Sequence, residues 1–292
     1  MIKYSLIIPH KNCPKLLQRC LNSIRAREDL EIIIADDNSD DSIVDFKHFP
    51  GSEREDVILI LNKESRGAGY ARNIALERAQ GKWLLFADAD DYFSEEIHSI
   101  LDKYSNDDKT DMVFLNSCFV DEDGKTKPCA INRYMENYFK KKKHSLDVLR
   151  YGFWTPWSRM VKRSVFIIHQ ILFEEVPVGN DMMGILLASK YSRTFAVEPV
   201  VTYYYYQASG GSLTDSYYNE ETYYQRMENQ LKLNHFYKEV GYPFPTPIIR
   251  NYWKGLYSSE KSRSLLAKWN YNPLSDFFML FKYLYYKVTR TT

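Results

Sequence analysis

Four short apolar runs, each delivering a polar segment at its end, set the rhythm of the first hundred residues. Tyr4 to Ile8 is apolar and β-branched and stops at Pro9, and Glu31 to Ala35 runs into Asp36-Asp37-Asn38-Ser39-Asp40. Val57 to Leu61 precedes Asn62-Lys63-Glu64-Ser65-Arg66-Gly67-Ala68-Gly69, and Lys82 to Ala87 runs into Asp88-Ala89-Asp90-Asp91. Runs of this length bounded by turn residues read as buried strands. Between them apolar residues recur at helical spacing: Leu17, Cys20, Leu21 and Ile24, then Ala71, Ile74, Ala75 and Ala79 with Gly81 as the stop. After the fourth run come Ile97, Ile100, Leu101 and Tyr104, with Ser94 as the expected cap. Strands alternating with helices predict an α/β fold, a Rossmann-like, mainly parallel sheet flanked by helices, with ligands at the carboxyl ends of the strands. The polar segments beginning at Pro9, Asp36, Asn62 and Asp88 then share one rim.

The second half is patterned differently. Asp111 to Phe119 predicts a further strand with a turn at Asp123-Gly124, and Val200 to Gln207 a late one. Met182, Met183, Leu186 and Leu187 predict a helix that places Asp181 at its N-terminus, where negative charge is favoured. A long helix is expected from Glu220 to Val240 with Gly241 ending it, another opening at Thr246-Pro247, and a last one from Ser275 to Arg290. In that last helix Phe277, Phe281, Leu284, Tyr285 and Val288 share one face with Lys282, Lys287 and Arg290 among them. Two readings stand for it: packing on the protein's own core, or lying in a membrane interface.

Composition narrows the classes. A net charge of +1 over 292 residues carries no nucleic-acid signature. The four cysteines, Cys13, Cys20, Cys118 and Cys129, form no metal-ligand spacing, so free thiols in a cytoplasmic protein are expected. The chain enters a strand almost at once, so no signal peptide is expected, and no run approaches the roughly 20 apolar residues of a membrane span. Lys140 to Lys143 is a solvated run, or a contact for acidic lipid headgroups or a pyrophosphate-linked acceptor.

The chemistry concentrates at the fourth strand. Three carboxylates within four positions at a strand end repel one another unless a cation lies between them, which points to a divalent metal. Gly67-Ala68-Gly69 is not a complete dinucleotide or P-loop fingerprint, but it lies directly before a helix whose N-terminus suits a diphosphate. Taken singly, Asp36-Asp37 also fits a plain turn, and Asp88 to Asp91 a helix cap.

Ser5-Leu6-Ile7-Ile8-Pro9-His10-Lys11-Asn12, Asp36-Asp37-Asn38-Ser39, Gly69-Tyr70-Ala71-Arg72-Asn73 and Asp88-Ala89-Asp90-Asp91, in that order, resemble the family-2 glycosyltransferases of the GT-A fold. The resemblance is strong over residues 1–110, looser to about 215, and absent beyond. It implies a GT-A domain over 1–215, split into a nucleotide-sugar-binding half (1–110) and an acceptor and base half (111–215), with a helical extension over 216–292. It implies donor contacts from Pro9, His10, Asn12, Asp37, Gly67, Arg72, Asp88 and Ala89, and a Mn²⁺ or Mg²⁺ ion on Asp90 and Asp88. Arg72 has two readings, a phosphate contact or a partner for a nearby acid. Asp181 stands where the family carries its general base, with Asn180 in place of the usual Glu. Trp157, Arg159 and Asn180 are candidate acceptor contacts, Trp157 being equally suited to the core. Gly210 and Gly211 suit a loop that closes on the donor. The implied activity is inverting transfer from a nucleotide-diphosphate sugar, by analogy a UDP-sugar, to a hydroxyl of a bacterial glycan or lipid-linked acceptor. The implied location is the cytoplasm, with the last helix as a candidate contact to the inner face of the membrane. Rival readings are a Mg²⁺-dependent phosphoryl- or nucleotidyl-transfer enzyme and a non-catalytic nucleotide-sugar-binding module. A phosphatase would need a nucleophilic Asp on the first strand, where Pro9-His10 stands.

Overall fold

The computed structural model describes residues 1–207, 220–244, 246–248 and 260–289, with the side chains of 282–289 not described. It divides into two compact units, Met1–Val176 with Asn180–Ser212, and Pro177–Gly179 with Leu213–Thr292.

The first unit is built on one mixed sheet. In chain order its elements are β1 (Tyr4–His10), α1 (Pro14–Asn22), β2 (Leu30–Asp37), β3 (Val57–Asn62), α2 (Ala68–Arg78), β4 (Trp83–Phe86), β5 (Tyr92–Phe93) and α3 (Glu96–Tyr104). There follow β6 (Met112–Val120), β7 (Thr126–Pro128), α4 (Ala130–Phe139), α5 (Ser145–Tyr151), β8 (Arg159–Lys162), α6 (Arg163–Ile168), α7 (Met182–Tyr191) and β9 (Phe195–Tyr206). The strand order is β3-β2-β1-β4-β8-β6-β9-β5, with β7 on β6. β3, β2, β1 and β4 run parallel, whereas β8 is antiparallel to both β4 and β6, and β5 is antiparallel to β9. The sheet is thus mixed, and its parallel part is the half that carries the four polar strand ends.

Every residue of β1, β2 and β4 is buried, as a strand covered on both faces must be. The two-residue alternation sorts them. Tyr4, Leu6, Ile8, Ile32, Ile34, Trp83 and Leu85 face a cluster with α1 and α3, through Leu17, Cys20, Leu21, Ile97, Ile100 and Leu101. Ile7, Ile33, Ala35, Leu84 and Phe86 face a second cluster with Ala71 and Ala75 of α2 and Ile185 and Ala188 of α7. α1 opens on Pro14, whose missing N–H costs nothing there. The expected cap at Ser94 is not used: Glu95 occupies the cap position of α3, and the Ser94 hydroxyl donates instead to the Val201 carbonyl at 2.7 Å. Strand pairing claims Ser94 before the helix can.

At the amino end of the sheet, buried Glu31 closes the turn between α2 and β4. Its Oε1 accepts from Ser5 Oγ (2.5 Å), the Gln80 N–H (2.6 Å) and the Gly81 N–H (3.2 Å). Gly81 is required there, since a Cβ would lie 2.5 Å from the Ser5 nitrogen.

The second unit contains helices over Glu220–Glu239, Glu260–Lys268 and Pro273–Thr289. Tyr224, Met227, Leu231, Ile248 and Leu266 form its core. The helix expected to open at Thr246-Pro247 and the loop at Gly210-Gly211 fall largely or wholly outside the described residues. No helix among the described residues is long and apolar enough to cross a membrane.

Glu31→Ala leaves buried donors without an acceptor and should lower the free energy of unfolding by about 1–3 kcal/mol. Urea denaturation checks this, and Glu31→Gln, which keeps the accepting oxygen, should cost less.

Candidate active site

Parallel register aligns the strand ends. His10 lies beside Asp36, Asp37 beside Asn62, and Ile7 beside Phe86, the last residue of β4. The rim therefore carries the Pro9–Asn12, Asp36–Asp40 and Asp88–Asp91 segments side by side.

Asp36 and Asp37 divide the work of the second segment. Asp36 is fully buried, and its carboxylate accepts from His10 Nδ1 (2.7 Å), Ser39 Oγ (2.5 Å) and the Ser39 N–H (2.9 Å). Burial alone would raise its carboxyl, but the hydrogen bonds from His10 and Ser39 hold it below the usual range. The other ring nitrogen of His10, Nε2, accepts from the Cys13 N–H at 3.2 Å, so the proton sits on Nδ1. Both ring nitrogens are thus spent inside the protein, and only the main chain of His10 is left to meet a donor. Ser39 Oγ passes the network on to the Asn12 N–H (2.8 Å), and Asn12 Oδ1 accepts from the Asp40 N–H (2.8 Å). Asn12, Asn38, Ser39, Asp40, Asp41 and Lys63 line an open cavity of about 510 Å³.

Asp37 reaches the other way. Its carboxylate accepts from the Gly67 N–H (2.9 Å) and Lys11 Nζ (3.3 Å). Gly67 has φ +89°, a left-handed conformation that glycine adopts without strain, and it turns the chain into α2. A Cβ on Gly69 would lie 1.9 Å from the Glu174 carbonyl oxygen and 3.2 Å from Asn180 Cβ, so this position makes room for the segment that leads to Asp181.

The acidic segment after β4 is held by three different elements. Asp91 is fully buried and accepts from Tyr203 Oη (2.7 Å) and the Tyr206 N–H (2.7 Å), both of β9. Tyr203 Oη in turn accepts from the Asp88 N–H at 3.0 Å. Arg19 of α1 donates to the Asp90 carbonyl at 2.6 Å, its guanidinium 4.0 Å from the centre of the Tyr206 ring. Arg72 of α2, buried, donates to Asp88 Oδ1 (2.6 Å) and to Asn180 Oδ1 (2.8 Å). The pairing with a nearby acid, one of its two readings, is present here. Ala89 is buried in the core cluster on the α1 side of the sheet.

Burial, reinforced by the Asp88 charge, pushes the Asp90 carboxyl up to about 6, and no other described residue donates a hydrogen bond to that side chain. Burial and the charges of Asp88 and Asp90 likewise raise Asp91 well above the usual range. No group of three or more His, Cys, Asp or Glu residues placed to hold a metal occurs among the described residues. An ion carried by a diphosphate needs only one or two protein carboxylates, however. The partly buried side chains of Asp88 and Asp90 are oxygen donors of the right kind for a hard cation, whereas the Asp91 carboxylate is already engaged by Tyr203 and Tyr206.

Asp181 sits at the N-terminus of α7 and makes no capping hydrogen bond with its side chain. Burial raises its carboxyl above the ordinary range, Arg72 opposes the shift and Asp88 adds to it. The two remaining acceptor candidates turn inward. Trp157 is 5% exposed and stacks on Tyr203 with ring centroids 5.1 Å apart at 9°. Arg159 has no exposed surface and donates to Ser189 Oγ (2.8 Å) and to the Phe153 carbonyl. Both support the site from behind and neither presents a face to solvent. The residues that sequence reasoning passed over are Tyr203 and Arg19. Period-two alternation through Tyr203-Tyr204-Tyr205-Tyr206 was a usable signal for the first, while nothing local marks Arg19.

A family model described as glycosyl transferase family 2 matches residues 5–167. The chain is 34% identical over 116 residues to the poly(ribitol-phosphate) beta-glucosyltransferase of Bacillus spizizenii, covering 38% of this chain and 18% of that protein. It is 36% identical over 101 residues to the Escherichia coli UDP-Glc:alpha-D-GlcNAc-diphosphoundecaprenol beta-1,3-glucosyltransferase WfaP, covering 32% of this chain and 39% of that protein. The matches thus span less than half the length of these curated relatives. The crystal structure of S. aureus TarS 1-349 in complex with UDP-GlcNAc shares the fold, with a TM-score of 0.66 at 18% identity over 92% of this chain and 80% of that one.

Tyr203→Phe removes the donor to Asp91 and the acceptor of the Asp88 N–H while keeping the ring stacked on Trp157. It should cost about 1–3 kcal/mol of stability, read as a lowered thermal midpoint, with no change in the overall circular dichroism spectrum.

Proposed function

The chain belongs to glycosyl transferase family 2, whose model covers more than half of it, and from that premise we propose an inverting transfer of a sugar from a nucleotide-diphosphate donor to a hydroxyl. The observation that carries the reading is the Arg72 bridge, which ties Asp88 at the end of β4 to Asn180 beside Asp181. One buried guanidinium thereby links the carboxylates expected to hold the donor diphosphate with the carboxylate expected to take the acceptor's proton.

In this reading the main chain at Pro9 and His10, with Asn12 and Asp37, receives the nucleoside, and Gly67 shapes the turn beside it. Asp88 and Asp90 would hold Mn²⁺ or Mg²⁺, which would supply positive charge to the departing diphosphate. Asp181 accepts the proton of the attacking hydroxyl as its oxygen approaches the anomeric carbon on the face opposite the diphosphate. The raised carboxyl of Asp181 suits that role, because a base works best with its pKa near the operating pH. A UDP-sugar donor is favoured because two relatives bear on it: WfaP is named for UDP-Glc, and TarS was crystallised with UDP-GlcNAc. The names of the Bacillus spizizenii relative and of WfaP favour, respectively, a polyol-phosphate and a lipid-diphosphate-linked saccharide as the acceptor that carries this hydroxyl.

Asp181→Asn should lower kcat by about 10²–10⁴ while leaving UDP-sugar affinity within about twofold. Nucleotide release assays and calorimetry check the two halves separately, and a fully active variant removes the assignment. The pH dependence has a definite sign. The ionised form is the active base, so activity is lost as pH falls through the Asp181 pKa. Because burial raises that pKa, the acid limb of kcat/KM should lie above the ordinary carboxylate value of about 4. Asp90→Asn should weaken divalent-ion-dependent UDP-sugar binding by at least about tenfold, measured by thermal shift with and without Mn²⁺, and chelation should abolish the wild-type shift.

A further inference from the structure

The helix Pro273–Thr289 is amphipathic, yet its apolar stripe faces outward. Leu274 is 72% exposed, Phe277 48%, Phe278 72% and Phe281 58%. These positions stand at i, i+3, i+4 and i+7, the spacing of one continuous helical face. On the other side of the helix Met279 and Leu280 are partly buried and Asp276 has no exposed surface, its carboxylate accepting from the Ile248 N–H (2.9 Å) and from Tyr271 Oη (3.0 Å). The core of this unit is formed by Tyr224, Met227, Leu231, Ile248 and Leu266, and none of the four exposed apolar residues belongs to it. Of the two readings of the last helix, packing on the protein's own core is therefore not what these four residues do.

Charge decides between the occupants such a face can have. From Phe277 to Thr292 the sequence carries Lys282, Lys287 and Arg290 and no acidic side chain. The same stretch holds six aromatic rings, at Phe277, Phe278, Phe281, Tyr283, Tyr285 and Tyr286. A second copy of the helix would set these cations against one another. An anionic lipid surface attracts them instead, while aromatic and aliphatic side chains enter the headgroup boundary. The helix is neither long nor apolar enough to cross a bilayer.

We propose that the helix Pro273–Thr289 is a membrane-surface element that binds anionic phospholipid through Leu274, Phe277, Phe278 and Phe281, with the excess of basic over acidic residues from 277 onward supplying the charge preference. The proposal stands apart from the reaction assigned above, and activity on a soluble acceptor bears on neither its success nor its failure. The test is sedimentation of the full chain with phosphatidylcholine vesicles that contain or lack phosphatidylglycerol. Binding is expected only to the anionic vesicles and should weaken with salt. The combined variant Phe277→Ser, Phe278→Ser, Phe281→Ser should lose at least about tenfold in vesicle partitioning with its thermal midpoint unchanged, since the three rings are exposed. Lys282→Gln should cost about fivefold on anionic vesicles. Equal binding of the triple serine variant, or no binding by the wild type, overturns the proposal. So does a wild-type dimer in lipid-free sedimentation that the serine variant dissociates, because that result gives the face to a second copy.

Discussion

Three carboxylates packed into four residues at the end of a buried strand repel one another, and the way that repulsion is contained shapes the rest of the site. Asp91 is removed from the contest by burial under Tyr203 and the Tyr206 N–H of β9. Asp88 is neutralised from one side by Arg72. The Asp90 side chain is left with its charge least compensated, its carboxyl raised to about 6 by burial and by Asp88. A segment clamped by α1, α2 and β9 at once cannot relax by swinging a carboxylate away, so the unmet demand for positive charge is built into its position.

The same clamp explains residues that look redundant in isolation. Tyr203 serves Asp88 and Asp91 with one hydroxyl, and its ring lies flat against Trp157, so a tryptophan that never reaches the surface still fixes the height of the acidic segment. Arg159, wholly buried beneath, has its guanidinium lowered to about 9 by desolvation and spends its hydrogen bonds on Ser189 and Phe153. On the opposite side Asn73 exchanges two hydrogen bonds with the Phe173 main chain, and Gly69 admits the Glu174 carbonyl. These contacts bring the 173–181 segment against α2, where Arg72 can reach both Asp88 and Asn180. With Asn rather than an acid at position 180, Asp88 is the only carboxylate among the described residues in hydrogen-bond contact with that guanidinium.

The strand–helix alternation, the shared rim and the acidic strand end were all legible in the chain, because period-two and helical patterns report burial directly and parallel strands must point their ends the same way. Which of Asp88, Asp90 and Asp91 stays available was not legible, since three neighbouring aspartates look alike until a distant strand takes one of them. Arg72 was open between phosphate and carboxylate for the same reason: its partners lie 16 and 108 residues away. For Trp157 and Arg159 the sequence offered chemistry without direction, and β8 set between β4 and β6 turns them inward. The last helix reverses the usual inference, since its pattern announced an apolar stripe and only the fold decided that Leu274, Phe277, Phe278 and Phe281 would face out.

The amino-acid sequence by itself determined the class of sheet, the order of the polar strand ends and the residue types gathered there, because those depend on local periodicity and short-range turn chemistry. Tertiary structure alone decided which carboxylate is buried, which cation it meets and which side of a helix is covered. Those outcomes depend on contacts between residues far apart in the chain, whose partners no local pattern can name.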